Sequence, residues 1–284
     1  MLPAVLKHLP FLLKRTLLSS LDDGCFGIAK GAAYSALLSF FPVLTSAATI
    51  LVQTRADFVA GTMSQFLQQI VPPGSEEIVI NQFRIKGQRP LSLLIIAAIL
   101  SLWAASSVIK SLMEGFHAAY RTPRSRSFLH ETGIAIGLVF LAVIPLVGAS
   151  ALVLFGSQVE HTVLSTLAVD PLLNPVAGLW LVLSRIARYA VAFGATVTLT
   201  VMVYYFGPYR RQRWALVWPG AILATLLWFG STSGFAWYIH HITNYNLLYG
   251  SIGTGIALLV WMYLLAAIAI LGCEFNAEYE RMLA

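Results

Sequence analysis

Long apolar stretches dominate the pattern of hydrophobic and polar positions along this chain. A helix needs about 20 mostly apolar residues to cross about 30 Å of hydrocarbon. Six stretches meet that requirement, and none of their cores contains Asp, Lys or Arg. The pattern therefore predicts membrane-spanning helices over residues 31–53, 91–109, 132–157, 189–206, 214–239 and 251–273.

Two further segments have helical periodicity without enough length to span a bilayer. Residues 1–20 place leucines on one stripe, flanked by Lys7, Lys14 and Arg15, which predicts an amphipathic helix lying in the membrane interface. Between the first two predicted spans, apolar residues recur at helical spacing over 58–70 and stop at Pro72. We expect a small helical cap there.

The composition agrees with a membrane protein. Hydrophobic residues make up 58% of the 284 residues and charged residues 11%, whereas a soluble domain carries about a quarter charged residues. Too few polar residues are present to cover a soluble core, so the composition argues against a soluble enzyme, a disordered chain and a disulfide scaffold. The predicted fold class is an all-α, six-span membrane protein forming one domain over 1–284.

The placement of basic residues predicts the orientation. With the N-terminus in the cytoplasm, twelve of the 18 lysines and arginines fall on the cytoplasmic side. This asymmetry predicts that both termini are cytoplasmic. Cys25 and Cys273 then lie near the reducing side, as expected of free thiols. The net charge of +6 is not interleaved with aromatic residues as a nucleic-acid surface requires, so we expect no nucleic-acid partner.

The first span holds one candidate for a cavity wall. Pro42 interrupts the helix, with Ser39 and Tyr34 on the preceding turns. A proline frees a backbone carbonyl, which must be satisfied by neighbours or by water. Tyr34, Ser39 and Pro42 therefore either line a polar cavity or form an ordinary packed kink.

Charged and polar residues near the predicted inner mouth are the second candidate site. Glu274, Glu278 and Arg281 share one helical face, Asn276 lies beside them, and Glu114 ends the second span. A carboxylate at the membrane boundary needs a cationic partner. The candidate partners in the other inner loops are Lys110, Arg121 and Arg210. Either the pair is structural, or Glu274 and Glu114 act as a gate or a proton-linked carboxylate.

At the predicted outer mouth, Arg185 and Arg188 lie one turn apart. They are either snorkelling anchors or a docking point for an anionic head group. The sequence contains no nucleophile elbow, phosphate-binding glycine loop or zinc motif, so we expect no catalytic residues, no metal and no cofactor. His240 and His241 have no further ligands at useful spacing.

Three stretches resemble the YihY/virulence factor BrkB family of bacterial inner-membrane proteins. They are GAAYSALLSFFP at 31–42, WPGAILATLLW at 218–228, and a segment that begins with YGSIG at 249 and ends with GCEFNAEYER at 281. Two positions depart from the family pattern, because Tyr34 precedes the usual tyrosine position at Ser35 and His117 replaces an asparagine. The resemblance implies structural roles for the following motif residues: Pro219, Gly220, Tyr249, Gly250, Gly253, Trp261, Tyr263 and Gly272.

The resemblance also bears on function. Similar proteins are often described as transporters, and older descriptions call them ribonuclease BN, for which we find no acid–base or metal groups. We expect a transporter or lipid or amphiphile translocase of the inner membrane, without a nucleotide-binding domain, whose partners are membrane lipids and an anionic or amphipathic cargo. The alternative is a non-transporting scaffold or envelope assembly factor, and a homo-oligomer is left open.

Overall fold

The computed structural model describes residues 2–53, 91–122, 127–143, 145, 148, 175–210, 212–242 and 245–283. Within these ranges the protein is all-helical, with no strand. The helices are α1 (Leu2–Asp22), α2 (Cys25–Gln53), α3 (Leu91–Ala119), α4 (Phe128–Val143), α5 (Pro175–Phe206), α6 (Trp214–Ile242) and α7 (Tyr245–Leu283).

The six helices from α2 to α7 alternate in direction, which is shown by contacts between their ends. Arg121, just after α3, pairs with Asp23, just before α2. Arg210, after α5, pairs with Glu280 near the end of α7. We call this end of the bundle the basal end; it comprises α1, the first turns of α2, α4 and α6, and the last turns of α3, α5 and α7.

The predicted membrane helices are confirmed. Helices α2, α3, α5, α6 and α7 are long and apolar enough to cross a membrane, and α4 is a shorter apolar helix. Several helices extend beyond the predicted bounds; α5 begins at Pro175 instead of 189, and α7 ends at Leu283 instead of 273. The predicted cap between the first two spans lies outside the described residues, as does most of the third span beyond Val143.

Helix α1 packs across the basal end of α6 and α7. Leu12 is fully buried against Leu216, Phe275 and Tyr279. The chain then turns at Gly24, whose φ of 67° is accessible to glycine at little cost, and enters α2. The opposite face of α1 is exposed and apolar.

The main core lies in the basal half of the bundle, where α3, α5, α6 and α7 meet. Phe116 and Tyr204 pack edge-to-face at 5.4 Å between ring centroids. A second cluster of small residues joins α2 to α7 through Ala29, Ala32 and Ala267. Small side chains let helices approach closely in a membrane, where dispersion contacts drive association.

Candidate functional site

A cavity of about 300 Å³ lies among the helices and borders the basal end at Tyr204. All six helices from α2 to α7 contribute to its wall. Its lining is almost entirely apolar and includes Leu199 and Val203 on α5, Trp228 on α6, and Leu265 on α7. Such a wall offers dispersion contacts to a ligand and little to replace the hydration of an ion.

The two hydroxyl side chains in the wall already have hydrogen-bond acceptors on the backbone. The Thr200 hydroxyl donates to the Thr196 carbonyl at 2.9 Å. The Tyr204 hydroxyl donates to the Ala269 carbonyl at 2.6 Å. Because both donors are engaged within the protein, they add little polarity to the space, which suits hydrocarbon.

The six residues predicted as cavity or gating candidates do not form the wall of this cavity. Tyr34 is 61% exposed on the surface of α2, and Glu114 is exposed on α3. Ser39 is buried and donates to the carbonyl of Ala36, which does line the cavity. Pro42 lies inside the continuous helix α2. The functional roles of these residues stay predictions.

Below the cavity, two buried glutamates form a charge cluster with two arginines. Glu274 is fully buried and accepts a hydrogen bond from Arg281 at 3.3 Å. Glu278 contacts Arg281, accepts from the Ser19 hydroxyl at 2.9 Å, and pairs with Arg15 at 2.5 Å. Two negative and two positive side chains therefore balance one another where unpaired charge is most costly.

The predicted partners of Glu274 were wrong. Arg121 pairs with Asp23 at 3.2 Å, Arg210 pairs with Glu280 at 2.5 Å, and the Lys110 ammonium lies 5.0 Å from the Phe128 ring centroid. The partner is Arg281 on the same helix, because α7 stays helical to Leu283 and seven residues bring a side chain back to the same face.

Arg281 also joins α7 to α3. Its Nη2 donates to the carbonyl of Ala119, the last residue of α3, at 2.6 Å. Nearby, the Tyr120 hydroxyl donates to the Gln212 side chain at 3.2 Å. Burial raises the pKa of Tyr120, so its hydroxyl stays protonated as a donor at neutral pH. These bonds connect the end of α3 to the end of α7 and to the segment that precedes α6.

Asn276 joins α7 to the proline-containing turn of α6. The Gly220 N–H donates to Asn276 Oδ1 at 2.7 Å, and Asn276 Nδ2 donates to the Val217 carbonyl at 2.9 Å. Pro219 lacks the donor of a regular helix, and the amide of Asn276 satisfies backbone groups on either side of it. The structure thus places Asn276 in a helix contact instead of a cavity.

Two glycines make that contact possible. A Cβ added to Gly220 would lie 2.0 Å from the Gly272 carbonyl oxygen, and one added to Gly272 would lie 2.4 Å from the Tyr204 hydroxyl. The backbones of α6 and α7 therefore touch directly, immediately beside the cavity residue Tyr204. A larger side chain at either position would separate the two helices.

The remaining predicted site residues are spread over the bundle. Arg185 is exposed and Arg188 partly buried, and both lie inside the first half of α5 and not at its end. On α7, Gly253 is buried, and Trp261 and Tyr263 are partly buried. Tyr249 and Gly250 belong to the same helix, and their side chains lie outside the described residues.

Sequence reasoning did not single out the cavity wall. Leu199, Val203 and Leu265 look like any other apolar residues of a membrane helix, so no composition signal distinguishes them from packing residues. Tyr204 was the wall residue with a weak indication in the sequence, because a tyrosine buried in hydrocarbon needs a hydrogen-bond partner for its hydroxyl.

The sequence of this chain matches a known protein family. The model for virulence factor BrkB matches residues 17–284. The chain belongs to this family. It is 29% identical over 255 residues to the ribonuclease-like protein YfkH of Bacillus subtilis, covering 88% of this chain and 89% of the relative. It is 25% identical to a UPF0761 membrane protein of Tolumonas auensis, covering 88% and 79%.

No solved structure matches the chain. The matches identify a membrane protein of the BrkB and UPF0761 family. The ribonuclease-like name belongs to the Bacillus relative. Within the described ranges, no group of three or more His, Cys, Asp or Glu residues is placed to hold a metal ion.

Proposed function

We propose that the protein is a lipid or amphiphile translocase of the bacterial inner membrane, with both termini in the cytoplasm. Its cavity accommodates the hydrocarbon part of an amphipathic molecule during passage. The apolar cavity of about 300 Å³ within the bundle is the observation that carries the proposal.

The lining favours a hydrocarbon cargo over an inorganic ion or a sugar. Transfer of a polar group into an apolar site without hydrogen bonds costs several kcal/mol, whereas a CH₂ group moves from bilayer hydrocarbon into an apolar site at little cost. Thr200 and Tyr204 donate to backbone carbonyls and offer little to a polar cargo. An acyl chain therefore enters from the bilayer at little cost, and the head group passes outside the apolar wall as the lipid changes leaflet.

The size of the cavity further limits the kind of cargo that it can hold. Binding pockets for small molecules span about 300–1,000 Å³, so this cavity is at the lower end. It accommodates part of one chain better than a complete phospholipid. The rest of the cargo would extend between helices into the bilayer.

A flip assay tests the proposal. The purified protein would be reconstituted in liposomes that contain a fluorescent phospholipid, and arrival at the outer leaflet would be measured by reduction with a membrane-impermeant quencher. We expect faster flipping than in protein-free liposomes. Leu199→Trp fills the cavity and should abolish this increase.

Leu183→Trp is the matched control. It makes the same change on the same helix, at a residue that is 53% exposed on the outer surface of α5. We expect wild-type flipping from it. No flipping by the wild type for any lipid in a varied panel, or equal rates for both tryptophan variants, would contradict the proposal.

One observation favours a second function, a membrane scaffold or envelope assembly factor. The basal end is densely connected, with Glu274, Glu278, Arg281 and Asn276 all committed to contacts between helices. A scaffold needs such rigidity and no cavity. It predicts that both tryptophan variants support the biological function equally while Arg281→Gln abolishes it.

A further inference from the structure

Helix α1 presents two different faces at the basal end. Leu12, Thr16, Ser19 and Ser20 are buried against the bundle. The opposite face exposes large apolar side chains, namely Phe11, Leu13, Leu17, Leu18 and Leu21. An exposed face of this kind fits the acyl boundary of a membrane surface.

Two basic residues interrupt the exposed face of α1. Lys14 is exposed, and Arg15 is 46% exposed while its Nε pairs with the buried carboxylate of Glu278 at 2.5 Å. A guanidinium has five N–H donors in a planar fork, and the ion pair with Glu278 is formed through Nε alone. Arg15 is therefore placed to hold an anion outside the bundle and Glu278 inside it.

The level of α1 along the bundle matches a membrane interface. Leu12 of α1 contacts Leu216 of α6, which lies between Trp214 and Trp218. The Trp214 ring packs at 5.1 Å from Tyr205 and 6.3 Å from Trp218. Aromatic residues of this kind concentrate at the head-group level, so α1 lies at that level too.

We propose that the exposed face of α1 binds anionic phospholipid, with Lys14 and Arg15 contacting the lipid phosphate. Bound lipid then reinforces the basal end, because Arg15 and Ser19 connect α1 to Glu278. Anionic lipid in the membrane is then a ligand that stabilises the bundle. This inference does not depend on the proposed transport activity.

The charges around Glu278 support this coupling. Arg281 on α7, Arg15 on α1 and the Ser19 hydroxyl all face its carboxylate. Arg281 is shared with Glu274, so the second carboxylate of the cluster depends on Arg15 for charge balance. An anionic lipid that fixes the position of Arg15 therefore also fixes the cluster.

The test uses the full chain in nanodiscs made of phosphatidylcholine with increasing amounts of phosphatidylglycerol. Thermal unfolding should shift to higher temperature as phosphatidylglycerol increases. Each basic residue near an anionic surface contributes about fivefold in affinity, so Lys14→Gln should raise the half-saturating phosphatidylglycerol fraction by about that factor. Lys14→Gln leaves the contact between Arg15 and Glu278 in place.

Arg15→Gln is a second variant, and it should remove most of the phosphatidylglycerol-dependent shift whatever its effect on stability in pure phosphatidylcholine. Arg213→Gln is the matched control, because Arg213 is exposed just before α6. It should keep most of the wild-type shift, and it should raise the half-saturating phosphatidylglycerol fraction no more than Lys14→Gln does, because, among the described residues, no ion pair joins Arg213 to Glu278. Inorganic phosphate added to phosphatidylcholine nanodiscs should produce no shift.

Four results would overturn the proposal. They are an unfolding temperature independent of phosphatidylglycerol, a full shift in the Lys14→Gln and Arg15→Gln double variant, an equal loss in Arg213→Gln, and reproduction of the shift by inorganic phosphate. Because the readout is stability, failure here would leave the flip assay unaffected.

Discussion

The basal end and the cavity are formed by the same helices, but the basal end buries charged and polar side chains and the cavity is lined by apolar ones. At the basal end, Glu274, Glu278 and Asn276 are buried with their partners on other helices or on α7 itself. Around the cavity, the wall is hydrocarbon and its hydroxyls are bonded to the backbone. Buried polar groups demand fixed partners, whereas apolar surface accepts many arrangements.

Helix α7 shows this contrast within a single element. Its segment 265–269 faces the cavity, and its segment 272–281 holds the glycine contact and the charge cluster. We infer that the second segment specifies the packing of the bundle and the first leaves room for a ligand. Substitutions in the two segments should therefore differ in kind.

Arg281→Gln should have the largest effect. It leaves two buried carboxylates and the Ala119 carbonyl without this donor, and breaking a buried ion pair costs about 3–5 kcal/mol. The free energy of unfolding in detergent would measure the loss. The exposed Arg213→Gln should cost less than about 0.5 kcal/mol. Equal effects would refute a special role for the basal cluster.

Gly220→Ala should come next. The added Cβ would lie 2.0 Å from the Gly272 carbonyl oxygen, and such overpacking costs about 1–3 kcal/mol. Gly230→Ala is the control on the same helix, because a Cβ there meets nothing within 4 Å. Thermal unfolding should separate the two variants clearly; matching curves would show that α6 and α7 do not touch at Gly220.

Asn276→Ala should cost about 2 kcal/mol. It removes the acceptor of the Gly220 N–H and the donor to the Val217 carbonyl in a buried position, where an unsatisfied group costs about 1–3 kcal/mol. Combined with Gly220→Ala, the loss should be less than additive, since both changes affect one contact. A double-mutant cycle in thermal unfolding checks this, and strict additivity would contradict it.

Thr200→Val should have the smallest effect. The change keeps the side-chain volume and removes a hydroxyl that bonds only within α5. Stability should change by less than about 0.5 kcal/mol, and lipid flipping should persist. A complete loss of flipping in a stable variant would indicate that polar chemistry in the cavity is required.

The sequence allowed the membrane spans and part of the basal end to be predicted, but not the cavity. The spans were predictable because the length of an apolar stretch can be read from the sequence. Helix α5 nevertheless begins earlier, in an apolar segment that precedes Arg185, and α7 continues into a polar segment that stays helical. The helical spacing places Glu274, Glu278 and Arg281 on one face of a helix. The cationic partner of Glu274 was nevertheless expected in the other inner loops and not on this face. The continuation of α7 to Leu283 decided that pairing.

The cavity could not be predicted, for a physical reason. Leu199 and Leu265 differ from buried packing residues only in what lies opposite them, and that depends on how six helices meet. Asn276 was expected near a cavity because polar residues in membranes often line pathways. Its actual partners are the Gly220 N–H and the Val217 carbonyl on α6, two backbone groups that flank Pro219.

A cryo-electron microscopy map of the protein in lipid nanodiscs would show directly whether the cavity accommodates hydrocarbon. We expect elongated, chain-like density beside Leu199, Trp228 and Leu265, which disappears in Leu199→Trp and persists in Leu183→Trp. Ordered water at that position, or side chains that close the space in the wild type, would contradict it.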